Sequence, residues 1–343
     1  VEGITAMSKM DPLSDVLRSV RLRGAVFFHV SCRERWSTFA PGAGMLAPML
    51  APGAEHMMEY HFFLKGSGWV AVDGLAPLRL QEGDCVMLPH GDAHVVSSAP
   101  GLPPGTEGKG WLTQAFREEP IPLPVTYEDN MFLRGSLAEE EASAIIVCGF
   151  IACDLKPFNP LVAALPRLLH LPADGIGAWV APMLDHAATE TVERRAGTNA
   201  LLQRVSEMVF VDGARRYLDS LADETQGWLG ALRDRHVGRA ITLMHQDPAA
   251  PWTVESLGER VGLSRSALHD RFSSLTGMAP MQYLANWRMQ CGARLLREGH
   301  ASVAAVAQEV GYESEAAFAR AFKRATGSPP AAWRKAQRQP VAA

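Results

Sequence analysis

The chain has 343 residues, of which 47% are hydrophobic and 20% charged, with a formal net charge of -4. That size lets two domains each bury a core, and the composition is that of a globular protein rather than a disordered or fibrous one. No apolar run approaches the length of a membrane span, and the opening VEGITAMSKM lacks the apolar stretch of a signal peptide, so a cytoplasmic protein with no membrane role is expected. The five cysteines, Cys32, Cys85, Cys148, Cys153 and Cys291, are an odd and scattered set that suits a reducing compartment better than a disulfide framework. Charge is unevenly spread: residues 231–343 carry 15 Lys and Arg against 9 Asp and Glu, and the rest carries 18 against 28. A basic C-terminal part on an acidic remainder suits a nucleic-acid binder tethered to something else.

Residues 25–97 read as short strands. AVFFHV is a β-rich run, and Met58–Leu64 leads through Lys65-Gly66-Ser67-Gly68, a hairpin signal, to Trp69–Val72. Asp73-Gly74 and Glu82-Gly83-Asp84 mark further turns before CVMLP and AHVVSS, so an antiparallel barrel or sandwich is expected. Six prolines and four glycines make residues 100–124 a loop, and SAIIVCGFIACD (143–154) reads as one or two closing strands. From Pro160 to His245 the pattern turns helical, with Leu161, Leu165, Leu168 and Leu169 on one stripe and Leu201, Val205 and Met208 on another. These helices are too interrupted for a catalytic domain and suit packing or dimerisation.

The C-terminal part repeats itself. Val254, Leu257, Val261 and Gly262 recur as Val303, Val306, Val310 and Gly311, an offset of 49. Leu268, Phe272, Gly277, Pro280 and Tyr283 recur as Phe318, Phe322, Gly327, Pro330 and Trp333, an offset of 50. A short helix, a glycine turn and a second helix, stated twice, is the layout of paired helix-turn-helix units, which makes double-stranded DNA the leading partner. Thr253 and Ser302 stand where a first helix needs an N-cap, Gly262 and Gly311 where a left-handed residue turns the chain, and Ser264 and Ser314 where the second helix is capped. Leu268 with Phe272, and Phe318 with Phe322, face inward. The opposite faces carry Arg265, Ser266, His269 and Asp270 in one copy and Glu315, Ala316, Arg320 and Lys323 in the other, with Arg271 and Ser314 beside them. Arg can bond guanine, Asp or Glu can accept from cytosine, and Ser and basic groups can hold phosphates. An amphipathic helix from near Pro280 joins the copies.

These residues resemble the AraC/XylS family of transcription regulators over about 233–335, with FARAFKRATGSPPAAWR (318–334) close to that family's signature. The resemblance implies base-facing roles for Ser266, His269 and Asp270 on the first reading helix and for Glu315, Ala316 and Arg320 on the second. Pro329 departs from the Ser or Thr usual there.

GDCVMLPHGDAH (83–94) matches Gly, Pro, Gly and His at the spacing of the second cupin motif, and the first motif is degraded: His56 aligns with its second His, His61 takes its Glu position, Gly68 closes it, and Ala54 replaces the first His. The whole then resembles AraC-family regulators with an N-terminal cupin. His56, His61 and His94 are the candidate metal ligands, three imidazoles suited to Zn, Ni, Fe or Cu. His56 and His61 differ by an odd number, so a regular strand separates them onto opposite faces. Trp36, His61, Trp69 and His94 are the candidate effector-binding residues, and Cys32 and Cys85 the candidate redox-active thiols.

The expected protein is α+β and multidomain: a cupin-like antiparallel β-barrel at 10–157, a helical linker and dimerisation segment at 158–230, and an all-α DNA-binding domain at 231–338 with helix-turn-helix units at 253–275 and 302–325. The expected function is that of a one-component, homodimeric transcription regulator in which a small effector shifts DNA engagement, with RNA polymerase a further partner if it activates. Alternatives are a thiol redox- or metal-responsive regulator, a metal-dependent cupin enzyme, which the missing first His and Glu disfavour, and an architectural DNA binder, which needs no pocket.

Overall fold

The computed structural model describes residues 11–104, 123–128, 131–135, 137–177, 179–184, 186, 196–222 and 225–338. The chain divides into two compact units, and the division differs from the expected boundaries. One unit is Leu22–Cys153 with Leu165–Asp219; the other joins Asp154–Ala164 and the N-terminal stretch up to Arg21 to the chain from Ser220 on. The helical segment expected at 158–230 is therefore shared between the two units.

The first unit is two sheets. Strands β1 (Arg23–Cys32), β3 (His56–Lys65), β6 (Cys85–Leu88), β8 (Leu123–Glu128), β9 (Met131–Arg134), β10 (Ala144–Cys153) and β11 (Leu169–Leu171) form a sheet in the order β11-β6-β3-β10-β1-β8-β9. Strands β2 (Ser37–Ala40), β4 (Gly68–Val72), β5 (Leu78–Leu80) and β7 (His94–Ser97) form a second, in the order β2-β7-β4-β5. The core packs side chains of both, among them Phe28, Val30, Val70, Val86, Val96 and Ile146. The expected barrel is thus two open sheets, and β1 and β8 pair in parallel. The expected hairpin at Lys65–Gly68 does not pair its arms. There β3 ends in one sheet and β4 begins in the other, with Gly66 at φ 77° making a corner whose missing side chain would strike the Ser143 carbonyl. Of the loop expected over 100–124, residues 105–122 lie outside the described residues, and Leu123 and Pro124 open β8.

The leucine stripe expected after Pro160 stops early. Helix runs only over Pro160–Ala164, Pro166 cannot continue it, and Leu169 enters β11 against Met87 of β6. A long helix, Thr198–Ser220, lies against the large sheet. Gly24 of β1 permits that approach, since a side chain there would meet the Ser206 Cβ at 2.5 Å, and Ser206 Oγ bonds the Tyr60 hydroxyl at 2.7 Å.

The second unit holds the repeat. Besides the short helix Pro160–Ala164, its helices are α1 (Pro12–Ser19), α2 (Trp228–Arg233), α3 (Val237–Gln246), α4 (Val254–Val261), α5 (Arg265–Thr276), α6 (Pro280–Glu298), α7 (Val303–Glu309), α8 (Glu315–Thr326) and α9 (Pro330–Arg338). Thr253, Ser264, Ser302 and Ser314 cap α4, α5, α7 and α8 as their positions imply, and Gly262 turns the chain in the left-handed region at φ 75°. On α6 the buried Gln290 donates to the Ser19 carbonyl at 2.9 Å and accepts from the Phe158 backbone at 3.1 Å. One buried amide thereby fastens two segments distant in sequence. Among the described residues no helix is long and apolar enough to cross a membrane.

Candidate functional site

Two regions carry chemistry. In the helical unit, α5 and α8 each bury one face, through Leu268 with Phe272 and Phe318 with Phe322. Because helix positions four apart share a face, the residues between them are turned outward. Arg265, Ser266, His269, Asp270, Arg271, Ser314, Glu315, Ala316, Arg320 and Lys323 are all exposed. They are not equivalent. Arg265 pairs with Glu255 of the preceding helix at 2.8 Å. Arg271 pairs at 2.6 Å with Asp234, which also accepts from the backbone of His236 and Val237. Burial opposes ionisation of Asp234, but these hydrogen bonds hold its carboxyl below the ordinary value. Arg271 is accordingly built into the join between α5 and α3. No ion pair engages Arg320 or Lys323 among the described residues.

In the β unit, His61 of β3 stands opposite Cys148 of β10, and His94 opens β7. His61 Nε2 is 2.6 Å from His94 Nε2 and 3.7 Å from Glu59 Oε1, and its Nδ1 is 2.9 Å from Cys148 Sγ. Glu59, His61 and His94 are buried, and Glu59 Oε2 has no hydrogen-bond partner. Burial pushes the Glu59 carboxyl up to about 8. It lowers His61, as does His94 beside it, and brings His94 down to about 4 against the hydrogen bond to the Asp92 carbonyl. Glu59, His61 and Cys148 border a cavity of about 70 Å³ whose remaining walls include Phe28, Val30, Trp36, Leu46, Val96 and Phe150.

The expected ligand set is corrected here. His56 bonds the Pro89 carbonyl at 2.7 Å and stays out of the cluster, because five residues of regular strand turn it away from His61. Glu59, two residues before His61 and so on its face, takes the third place, and donor atoms of Glu59, His61 and His94 all lie within 4.8 Å of one another. Two imidazoles and a carboxylate are chemically suited to a divalent transition metal. The two Nε2 atoms as they stand are at hydrogen-bond distance, whereas two nitrogens on one tetrahedral zinc stand roughly 3.3 Å apart.

Trp36 is buried in the cavity wall. Trp69 is not: Gly68, Val70 and Val72 are the buried positions of β4, so period-two alternation puts Trp69 on the other face. Cys32 is buried in the cavity wall, Cys85 is buried away from it, and burial pushes both thiols up. Sequence reasoning missed Glu59 and Cys148. Strand parity would have found Glu59; Cys148 is brought in only by the register of β10 on β3.

Comparison with known proteins agrees with this division. A family described as "Cupin" matches residues 11–219, and one described as "Helix-turn-helix domain" matches 257–336. A putative AraC-like transcription regulator of Streptomyces lividans is 30% identical over 331 residues, covering 95% of this chain and 98% of that protein. The HTH-type transcriptional regulator AlkR of Acinetobacter baylyi is 27% identical, covering 92% of this chain and 96% of that one. A crystal structure of the DNA-binding domain of AdpA, the global transcriptional factor, in complex with a target DNA is 36% identical over 31% of this chain and 94% of its own, with a TM-score of 0.30.

Proposed function

This chain belongs to the AraC-like transcription regulators, with a cupin-type N-terminal part and a helix-turn-helix C-terminal part, and on that premise we propose that it reads an asymmetric DNA half-site under control of a small effector bound in the β unit. Its relatives are regulators, not enzymes. The observation that carries the reading is a pair of capped, exposed reading helices, α5 and α8, carried on either side of the connector α6. At 1.5 Å per residue the 19-residue connector is about 28 Å long, which suits two helices entering successive major grooves about 34 Å apart.

The readers are unlike. Ser266, His269 and Asp270 face the DNA from α5, and Glu315, Ala316 and Arg320 from α8, while Arg265, Ser314 and Lys323 hold phosphates. Arg271, tied to Asp234, positions α5 rather than reading a base. Arg320 is the main base contact. On a site selected from random duplexes, Arg320→Ala lowers affinity by about 1–3 kcal/mol and relaxes preference at one position. Unchanged affinity and preference in a fluorescence titration at fixed salt overturns the assignment.

The regulator works in the cytoplasm as a homodimer, and contacts RNA polymerase if it activates. The helix Thr198–Ser220 supplies the dimer contact. Its inner face is buried through Leu202, Val205 and Phe210, while Leu201 and Met208, seven apart, are 39% and 45% exposed. The seven-residue spacing is that of a helix pairing with its own copy. The effector lies in the cavity beside Trp36, Glu59 and His61, with His94 behind His61. A second reading, favoured by the three clustered donors, is a divalent metal on Glu59, His61 and His94. About one metal ion per chain after purification without a tag supports it, and a content near zero removes it.

A further inference from the structure

The helical unit holds a cavity of about 230 Å³ that lies apart from the reading faces of α5 and α8. Its walls come from α1, from the end of α3 with Pro248, from α6, and from the end of α7, all within one compact unit. Helix α3 precedes the first copy of the repeat and α7 opens the second, so an occupant touches both sides of the connector α6. The space equals that of on the order of eight waters, enough for a small organic molecule.

The polar groups on these walls fall into two sets. Asp15 is engaged: Arg18 pairs with it at 3.0 Å, and His245 Nδ1 lies 3.4 Å from its carboxylate. Arg294 of α6 and Glu309 of α7 both line the cavity, yet among the described residues no ion pair engages either. Their nearness to one point shows in the buried Cys291 thiol. Burial pushes it up to about 12, Arg294 opposes the rise, and Asp15 and Glu309 add to it. Trp287, also on the wall, is 3% exposed, and its indole Nε1 and the Nε of Arg294 are buried without a hydrogen-bond partner. Indole and guanidinium nitrogens only donate, so each calls for an acceptor.

An occupant that satisfies both sets presents an anionic acceptor to Arg294 and Trp287 and a cation to Glu309. A simple anion leaves Glu309 facing like charge. A simple amine leaves the guanidinium and the indole unmet, and a neutral alcohol or sugar leaves both ions unpaired. Pro248, Leu295 and Val310 make the remaining wall apolar. We propose that this cavity binds a free α-amino acid with a branched aliphatic side chain, its carboxylate on Arg294 and Trp287 and its ammonium on Glu309. The site is separate from the effector cavity of the β unit and does not depend on that reading.

The test titrates the intact protein calorimetrically with leucine, isoleucine and valine. Two analogues of leucine accompany them: 4-methylpentanoate, which lacks the ammonium, and 3-methylbutylamine, which lacks the carboxylate. One amino acid per chain is expected, with both leucine analogues weaker by roughly 10- to 100-fold, the range for losing a charged hydrogen-bond partner. Arg294→Gln weakens leucine by a similar factor. Glu309→Gln weakens leucine but leaves 4-methylpentanoate unchanged or tighter. Hydrogen exchange on the wild-type chain locates the site without any variant, so it decides the matter if Arg294→Gln unfolds. Leucine slows exchange in peptides that cover Trp287–Leu295 and the end of α7. Failure of all three amino acids to bind, an analogue that matches leucine, or protection confined to the β unit overturns the proposal.

Discussion

His245 of α3 has its proton placed for it by its neighbours. Trp228 Nε1 donates to the Tyr283 hydroxyl at 2.8 Å, so that hydroxyl turns its own hydrogen to His245 Nε2, also at 2.8 Å. The ring hydrogen is thereby fixed on Nδ1, 3.4 Å from the Asp15 carboxylate of α1, while the ring stacks on Trp287 at 3.8 Å. Burial lowers the pKa of His245, with Asp15 opposing. The folded chain therefore resists a proton that the unfolded chain accepts at roughly pH 6.5. This contribution to stability is constant well above that value and is lost as pH falls through it toward the lower folded value. Wild type should lose more urea resistance than His245→Gln between pH 7.5 and 5.5; equal losses would remove His245 from the acid response. The positions of Tyr283 and Trp228 in the sequence disclose none of this, since the chain of bonds joins residues 15 to 283.

At the scale of elements, the C-terminal repeat was legible because each device in it is local. Thr253, Ser264, Ser302 and Ser314 accept from backbone amides three residues on, and Gly262 supplies a left-handed turn that needs no distant partner. The β part was less legible. The Lys65–Gly68 turn looks like a hairpin because glycine and polar residues bend a chain in the same way whether its arms pair or pass to different sheets. The helix Thr198–Ser220 shows the same limit from the other side: Leu201, Val205 and Met208 read as one apolar stripe, yet only Val205 is buried. The exposed pair is what the proposed dimer contact rests on. Leu201→Glu with Met208→Glu should shift sedimentation from dimer to monomer and weaken binding to a paired half-site far more than to a single one. A double variant that stays dimeric would move the interface elsewhere.

Over the whole molecule, sequence alone determined the kind of protein and its order along the chain: a doubled helix-turn-helix after a β-rich, cupin-like part. Hydrophobic period, caps and turn glycines act within a few residues, so they can be read without a fold. The tertiary structure decided what depends on register and on segments meeting across the chain. It placed α1 and residues 154–164 with the helical unit, since the carbonyl of Ser19 and the amide of Phe158 both find Gln290. It replaced His56 by Glu59 in the histidine cluster, where strand parity outweighs motif spacing. It also set Cys148 against His61, because one register of β10 on β3, out of several that would bury apolar side chains, brings a thiol and an imidazole together.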